Sequence, residues 1–385
     1  MMKEWNINAG FHAKITAASL QAAVLLVTGA SVSAQDAAGI ESRSFVYANP
    51  VAAADVQGYA ETARVFMERV EQETDGRVVF NVTHGGGLLS HSDMMEGIGG
   101  GIADMGSAQL SVDPSAFPLW SMSGIHDPVV GTRLTAFEQT MVTRLMMDAV
   151  PELAQELEDA NLRMMFAIAS PAHNLIMATP IAGLDDLAGL QIRTYGQFLP
   201  RLFEAVGSTP VNIPPDELYT ALDRGVVDGA YTQASFLRDI GAHEVSRQWM
   251  FVGEGTTPPL NVGYHMTMNR RVWEDLSDEL KVIMIEAARE AEVHFSRDFI
   301  DADLGRAVDF FGEYGLEITY MSDEDIAKWS EVAPDMFGQI ATSLNAQGLP
   351  GTRLVEQYLE FTEMSGDELL AQYDALWDRM IAAHK

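Results

Sequence analysis

Residues 277 to about 313 form a helical pattern with almost no breaker, and Ile283, Ala287, Ala291, Phe295, Phe299 and Val308 fall along its apolar side. At 1.5 Å per residue such a helix reaches roughly 55 Å, longer than one lobe of ordinary size is wide. A globular chain buries a helix of that reach by laying it across two compact bodies. The segment therefore predicts a bridge between lobes, and 385 residues are enough for two lobes that each bury a core.

Upstream, strand and helix patterns alternate. Residues 44–48 read as a strand and 55–74 as an amphipathic helix with Tyr59, Ala63, Phe66, Met67 and Val70 inward. Asp75-Gly76 ends that helix, and 77–82 alternate as the next strand. A helix over 94–102 and a short strand at 104–108 follow. Helices over 135–150 and 151–160, strands over 162–169, 174–178 and 190–194, a helix over 197–206, a strand over 209–213 and a helix over 215–224 continue the series. Such alternation predicts an α/β chain with parallel sheets covered by helices. Residues 322–385 read as further helices joined through Gly348-Leu349-Pro350-Gly351.

Lys3 and Lys14 precede an uncharged stretch over 15–34 in which the small residues Val32 and Ala34 come just before Gln35. That order of basic, apolar and small residues is that of a secretory signal peptide occupying residues 1–34, which predicts export to the periplasm. No later apolar run approaches the ~20 residues of a membrane span, so no direct membrane insertion is expected of the mature chain. Cysteine is absent, which excludes disulfides and thiolate chemistry. With 24 Lys and Arg against 55 Asp and Glu, the net charge of −31 excludes a generic nucleic-acid binder. It does not exclude an organic-anion binder, because surface carboxylates are screened over about 10 Å at ~0.1 M salt and a buried arginine acts locally.

Several motifs fail on inspection. His84-Gly85-Gly86-Gly87 resembles an oxyanion-hole segment, but the chain has no Gly-x-Ser-x-Gly elbow to supply a nucleophile. Gly97-Ile98-Gly99-Gly100-Gly101 lacks the last glycine of a dinucleotide fingerprint, and no P-loop is present. His126-Asp127 and His173-Asn174 show neither the helical spacing nor the third ligand of a metal site. No cofactor and no metal are expected.

Three ordered motifs remain: Leu187-Ala188-Gly189-Leu190-Gln191-Ile192-Arg193, Gly207-Ser208-Thr209-Pro210-Val211, and the segment 217–229 with Glu217, Tyr219, Ala221, Leu222, Gly225, Val227, Asp228 and Gly229. Together they resemble the solute-binding subunit of tripartite ATP-independent periplasmic (TRAP) transporters, in its dicarboxylate-binding-protein branch. Gly86-Gly87-x-Leu89, Gly101-x-x-Asp104-Met105 and Met268-Asn269-x-x-x-Trp273-x-x-Leu276 extend the resemblance over roughly residues 44–315.

The resemblance implies a two-lobe periplasmic-binding-protein (Venus flytrap) fold, with lobe I over 42–170 and 259–298 and lobe II over 171–258 and 299–385. It also implies that Arg193 grips a substrate carboxylate, a role suited to a planar guanidinium that stays charged when desolvated. Where many family members carry a second arginine this chain has His173. Thr232 stands where asparagine is common, Pro215 where an aromatic is common, and Gln109 where a polar or acidic pocket residue is frequent. Tyr195, Phe198, Tyr231 and Phe236 lie close by in sequence, and Asn49, His126 and Trp120 sit at strand-to-helix loops facing the expected crevice. These departures remove charge and point to a monocarboxylate with an apolar or aromatic body.

The implied function is capture of a small organic acid, without covalent chemistry, and its delivery to the small and large integral membrane subunits of a TRAP permease. The binding protein of an ATP-driven transporter is the rival reading within the same class, and neighbouring genes distinguish the two. An exported hydrolase or lyase acting on an organic acid would reveal itself by turnover, and a sensory role without transport is a third reading.

Overall fold

The computed structural model describes residues 40–50, 59–110, 113–120, 134–167, 170, 173–195, 199–214, 217–252 and 265–385. The signal peptide expected over 1–34 lies outside them. Eleven strands among these residues build two sheets. The first contains β1 (Arg43–Ala48), β2 (Val78–Thr83), β3 (Met105–Ala108), β4 (Leu162–Phe166) and β10 (His265–Asn269), in the order β2-β1-β3-β10-β4. The second contains β5 (His173–Met177), β6 (Gln191–Thr194), β7 (Thr209–Asn212), β8 (Gly229–Gln233), β9 (Gln248–Phe251) and β11 (Glu317–Tyr320), in the order β11-β9-β5-β8-β6-β7.

The sheets are mixed, which corrects the expectation of parallel ones. β1 runs parallel to β2 and β3, and β6 runs parallel to β7 and β8, but β10 is antiparallel to β3 and β4, and β5 is antiparallel to β8 and β9. The physical reason lies in the connections. β5 and β10 are the first strands the chain makes after leaving one sheet for the other, from Phe166 to His173 and from Phe251 to His265. A strand that follows such a direct crossing arrives at the edge where its neighbours end and so runs against them, whereas β11, which the chain reaches through the long helix over 278–314, runs parallel to β9.

Helix Tyr59–Glu73 covers the first sheet through Ala63, Phe66, Met67 and Val70, all buried as their spacing predicts, and Phe66 meets Phe80 and Phe166 with ring centroids 5.9 and 5.8 Å apart. The long helix spans thirty-seven residues as an α-helix Asp278–Val293, a π-helical turn His294–Phe299 and an α-helix Ile300–Tyr314. Its first part packs on Tyr59–Glu73 and β4; its last part packs on helix Ala234–Asp239 and β11. It therefore bridges the two sheets. On the outer face of the second sheet, Phe311 and Ala307 join Ile176, Ala230 and Trp249 in a separate buried cluster.

The C-terminal helices divide between the lobes. Trp329 of Asp323–Val332 donates its indole N–H to the Leu202 carbonyl at 3.0 Å, and Gln339 of Met336–Ala346 accepts from Arg201, both on the side of the second sheet. Gly351–Thr362 and Gly366–Ala382 instead pack on helix Ala136–Ala149 of the first lobe, with Tyr358 donating to Gln139 at 3.2 Å and Arg379 paired to Asp148 at 2.8 Å. The expectation from sequence puts all of 322–385 with the second lobe; an amphipathic helix shows which face is apolar and not which surface covers it.

Candidate functional site

Both crossings join the same pair of sheet edges. On the first sheet, that edge carries Asn49 after β1, Gln109 after β3, Ala167 after β4 and His265 at the start of β10; on the second it carries His173 at the start of β5, Tyr195 after β6 and Gln233 at the end of β8. The register sets His173 opposite Gln233, Asn174 opposite Thr232 and His265 opposite Ala108. Ligands of α/β sheets bind outside the carboxyl ends of the parallel strands, which here means between these two edges.

Arg193 is carried by β6 between Val211 of β7 and Ala230 of β8 and is 3 % exposed. Its Nε donates to the Ile213 carbonyl at 3.0 Å, and its Cζ lies 4.9 Å from the centre of the Tyr195 ring. Among the described residues no carboxylate lies within ion-pair distance of it. Burial pushes the guanidinium down to about 10, below its ordinary range, leaving it charged at neutral pH. Tyr195 in turn joins its hydroxyl to His173 Nε2 at 2.8 Å. The His173 ring lies 5.8 Å from those of Tyr195 and Tyr231, and Tyr231 lies 5.6 Å from Phe203. Four expected residues, Arg193, Tyr195, His173 and Tyr231, thus form one connected group although they come from three strands.

The other expected residues fall into three sets. Thr232 is buried on β8 opposite Asn174, Asn49 is buried with its side-chain amide 3.5 Å from His84 Nδ1, and Gln109 is partly exposed just past β3. Trp120 is wholly buried; its indole N–H is used by the Leu153 carbonyl at 3.0 Å and its ring faces His265 at 5.5 Å, so it supports the wall from inside the first lobe. Phe198, Pro215 and His126 lie outside the described residues.

Polar groups not anticipated from sequence also line these edges. Asn174 accepts from the Val252 amide at 2.9 Å through Oδ1, while its Nδ2 is buried with no partner among the described residues. Gln233 Nε2 donates to Ser170 Oγ at 2.9 Å, and Tyr47 and Ser107 share a 2.5 Å hydrogen bond beneath the first edge. Asn174 was adjacent to a singled-out histidine, but the strands pairing with it, β8 and β9, are too short to announce themselves by alternation. Among the described residues no group of three His, Cys, Asp or Glu could hold a metal ion, and no helix is long and apolar enough to cross a membrane. A desolvated guanidinium whose terminal nitrogens have no partner among the described residues, set among neutral polar and aromatic groups, can hold an anion.

The solved structure of a TRAP periplasmic solute-binding protein from Desulfovibrio salexigens DSM2638 matches with a TM-score of 0.70 and 23 % identity, covering 84 % of this chain and 98 % of that one. A marine-metagenome TRAP solute-binding protein specific for aromatic acids, in complex with 3-hydroxybenzoate, matches at a TM-score of 0.73 and 18 % identity over 84 % of this chain and 98 % of that one. By sequence, a solute-binding protein of Sulfitobacter sp. (strain NAS-14.1) is 23 % identical over 272 residues, 69 % of this chain and 78 % of the relative. A profile of the bacterial extracellular solute-binding proteins of family 7 matches residues 51–342. That match spans well over half of the chain, which therefore belongs to the bacterial extracellular solute-binding proteins of family 7.

Proposed function

We propose that this chain is a periplasmic receptor that captures a small organic acid through Arg193, in the crevice between its two lobes, and passes it to the small and large integral membrane subunits of a TRAP permease. The observation that carries the reading is the uncompensated burial of Arg193. A charge removed from water without a partner is costly, and a ligand carboxylate meeting its terminal nitrogens would offset that cost. Thr232, Gln109 and Asn49 would contribute neutral polar contacts, Trp120 would hold the first wall in place, and Phe198, Pro215 and His126 would complete the rim. Export by a cleaved signal peptide over residues 1–34 belongs to the same reading.

Lobe I would comprise 42–170 with 259–298, and lobe II 171–258 with 299 onward. The packing of Gly351–Thr362 and Gly366–Ala382 on Ala136–Ala149 supports assigning those two helices to lobe I instead.

A thermal-shift screen of the purified protein against dicarboxylates, 2-oxo acids, sugar acids and aromatic acids, repeated with Arg193→Ala, tests the anchor. A ligand at a hundredfold excess over Kd stabilises by about 2.7 kcal/mol, and the expected outcome is an upward shift that the variant loses. Truncating one side of a buried charge pair costs roughly 2–5 kcal/mol of binding. Loss of less than threefold in affinity would remove Arg193 from the role.

A further inference from the structure

We infer that the site selects acids bearing a single carboxylate on an apolar body, held end-on by the two terminal nitrogens of Arg193, with His173 and Tyr195 as specificity-determining residues. The inference rests on Arg193 being the anchor. Of the five N–H donors of a guanidinium, the one on Nε is taken by the Ile213 carbonyl at 3.0 Å. The side-on fork that uses Nε is thereby closed, and the end-on fork formed by the terminal nitrogens is what remains for a carboxylate.

A second carboxylate on the ligand would need a second cation, and among the described residues neither edge provides a lysine or arginine. The polar positions at these strand ends are Asn49, Gln109 and His265 on the first sheet and Thr232, Asn174 and Gln233 on the second. The other buried arginine among the described residues, Arg144, is paired to Glu292 in the first lobe at 2.9 Å, and the half-buried Arg163 lies 4.3 Å over the Trp273 ring. A carboxylate desolvated in the crevice without a partner would lose its hydration and gain nothing in return. His173 stands where a second cation would have to act, but its Nε2 is joined to the Tyr195 hydroxyl, which fixes both rings beside the guanidinium. The surface next to the anchor is thus aromatic, and it favours a flat or apolar ligand body.

Calorimetric titration of the purified protein with benzoate and isophthalate, and with hexanoate and adipate, compares one carboxylate with two on related skeletons. The expected result is that each monoacid binds at least tenfold more tightly than its diacid and that Arg193→Ala abolishes the binding. His173→Arg, which adds a cation beside the anchor, is expected to reverse the order. Diacids that equal or exceed their monoacids, with binding still dependent on Arg193, would overturn the inference and leave the anchor standing. Failure of all four acids to bind at millimolar concentration, or binding indifferent to Arg193→Ala, would overturn both. A folded His173→Arg protein that still ranks monoacids first would remove His173 from the role; if that variant does not fold, the ranking in the unsubstituted protein decides the question.

Discussion

Among the described residues two arginines, Arg144 and Arg193, are buried, and their surroundings differ. Arg144 bonds Glu292 at 2.9 Å, donates to the Met165 carbonyl and stacks on Trp377, so its charge is fully engaged by the fold. Arg163 covers Trp273, and Arg193 has one backbone carbonyl and one tyrosine face. Folding alone would favour an apolar residue at position 193, and its retention is what a ligand-binding role explains. A different residue-scale effect concerns Glu156, whose carboxylate accepts from the Leu119 amide at 2.9 Å and is pushed up to about 7 by burial, from an ordinary 4.5. Because the folded protein holds this proton more tightly than the unfolded chain, the group's contribution to stability is full below about pH 4.5 and is lost as pH rises through about 7. Glu156→Gln is expected to flatten that part of the pH profile of the urea midpoint; an unchanged slope would mean that Glu156 does not control it.

At the scale of elements, the Glu292 carboxylate is a junction. It has no exposed surface, and burial raises its pKa above the ordinary carboxylate range. It accepts from Arg144 of helix Ala136–Ala149, from the Ala167 amide at 2.6 Å where the chain leaves β4 for the second sheet, and from the Tyr373 hydroxyl of Gly366–Ala382 at 2.9 Å. Three segments distant in sequence are thus tied to the bridging helix two residues before its π-helical turn. Ser296, inside that turn, bonds back to the Glu292 carbonyl at 2.5 Å. Glu292→Ala leaves a buried arginine unpaired and is expected to cost about 3–5 kcal/mol in denaturant unfolding. Tyr373→Phe removes one hydrogen bond to the same carboxylate and is expected to cost about 1.5–3 kcal/mol. The reverse order of the two would show that Arg144 does not depend on Glu292.

Over the whole molecule, the chain leaves β4 for β5, leaves β9 for β10, and runs through the bridging helix to β11, and the described ends of the first two connections, Ala167, His173, Val252 and His265, lie at the sheet edges that carry the proposed site. A ligand that touches both edges when the lobes are together, and only one when they are apart, stabilises the closed form by the difference. Small-angle scattering is expected to show a smaller radius of gyration when a tightly bound acid saturates the protein, and no such change for Arg193→Ala at the same concentration. A radius unchanged by a bound acid would rule out capture by closure.

The two-lobe plan was legible in sequence for an identifiable reason, and the motif from Leu187 to Arg193 singled out the proposed anchor. A thirty-seven-residue helix is a local pattern whose length alone demands two bodies, and the Leu187 to Arg193 motif marks its arginine without reference to any partner. The amphipathic faces of Tyr59–Glu73 and of the bridging helix were equally readable, since burial follows periodicity. What local pattern could not contain was pairing between distant segments: that β5 and β10 run antiparallel, that Tyr373 meets Glu292, or that His173 and Tyr195, twenty-two residues apart, share a hydrogen bond. The sequence by itself determined most strands and helices up to residue 224 and the length of the bridging helix, and its motif marked Arg193. Only the tertiary structure decided which charges are compensated, because that depends on distances between residues whose separation along the chain carries no information about their separation in space.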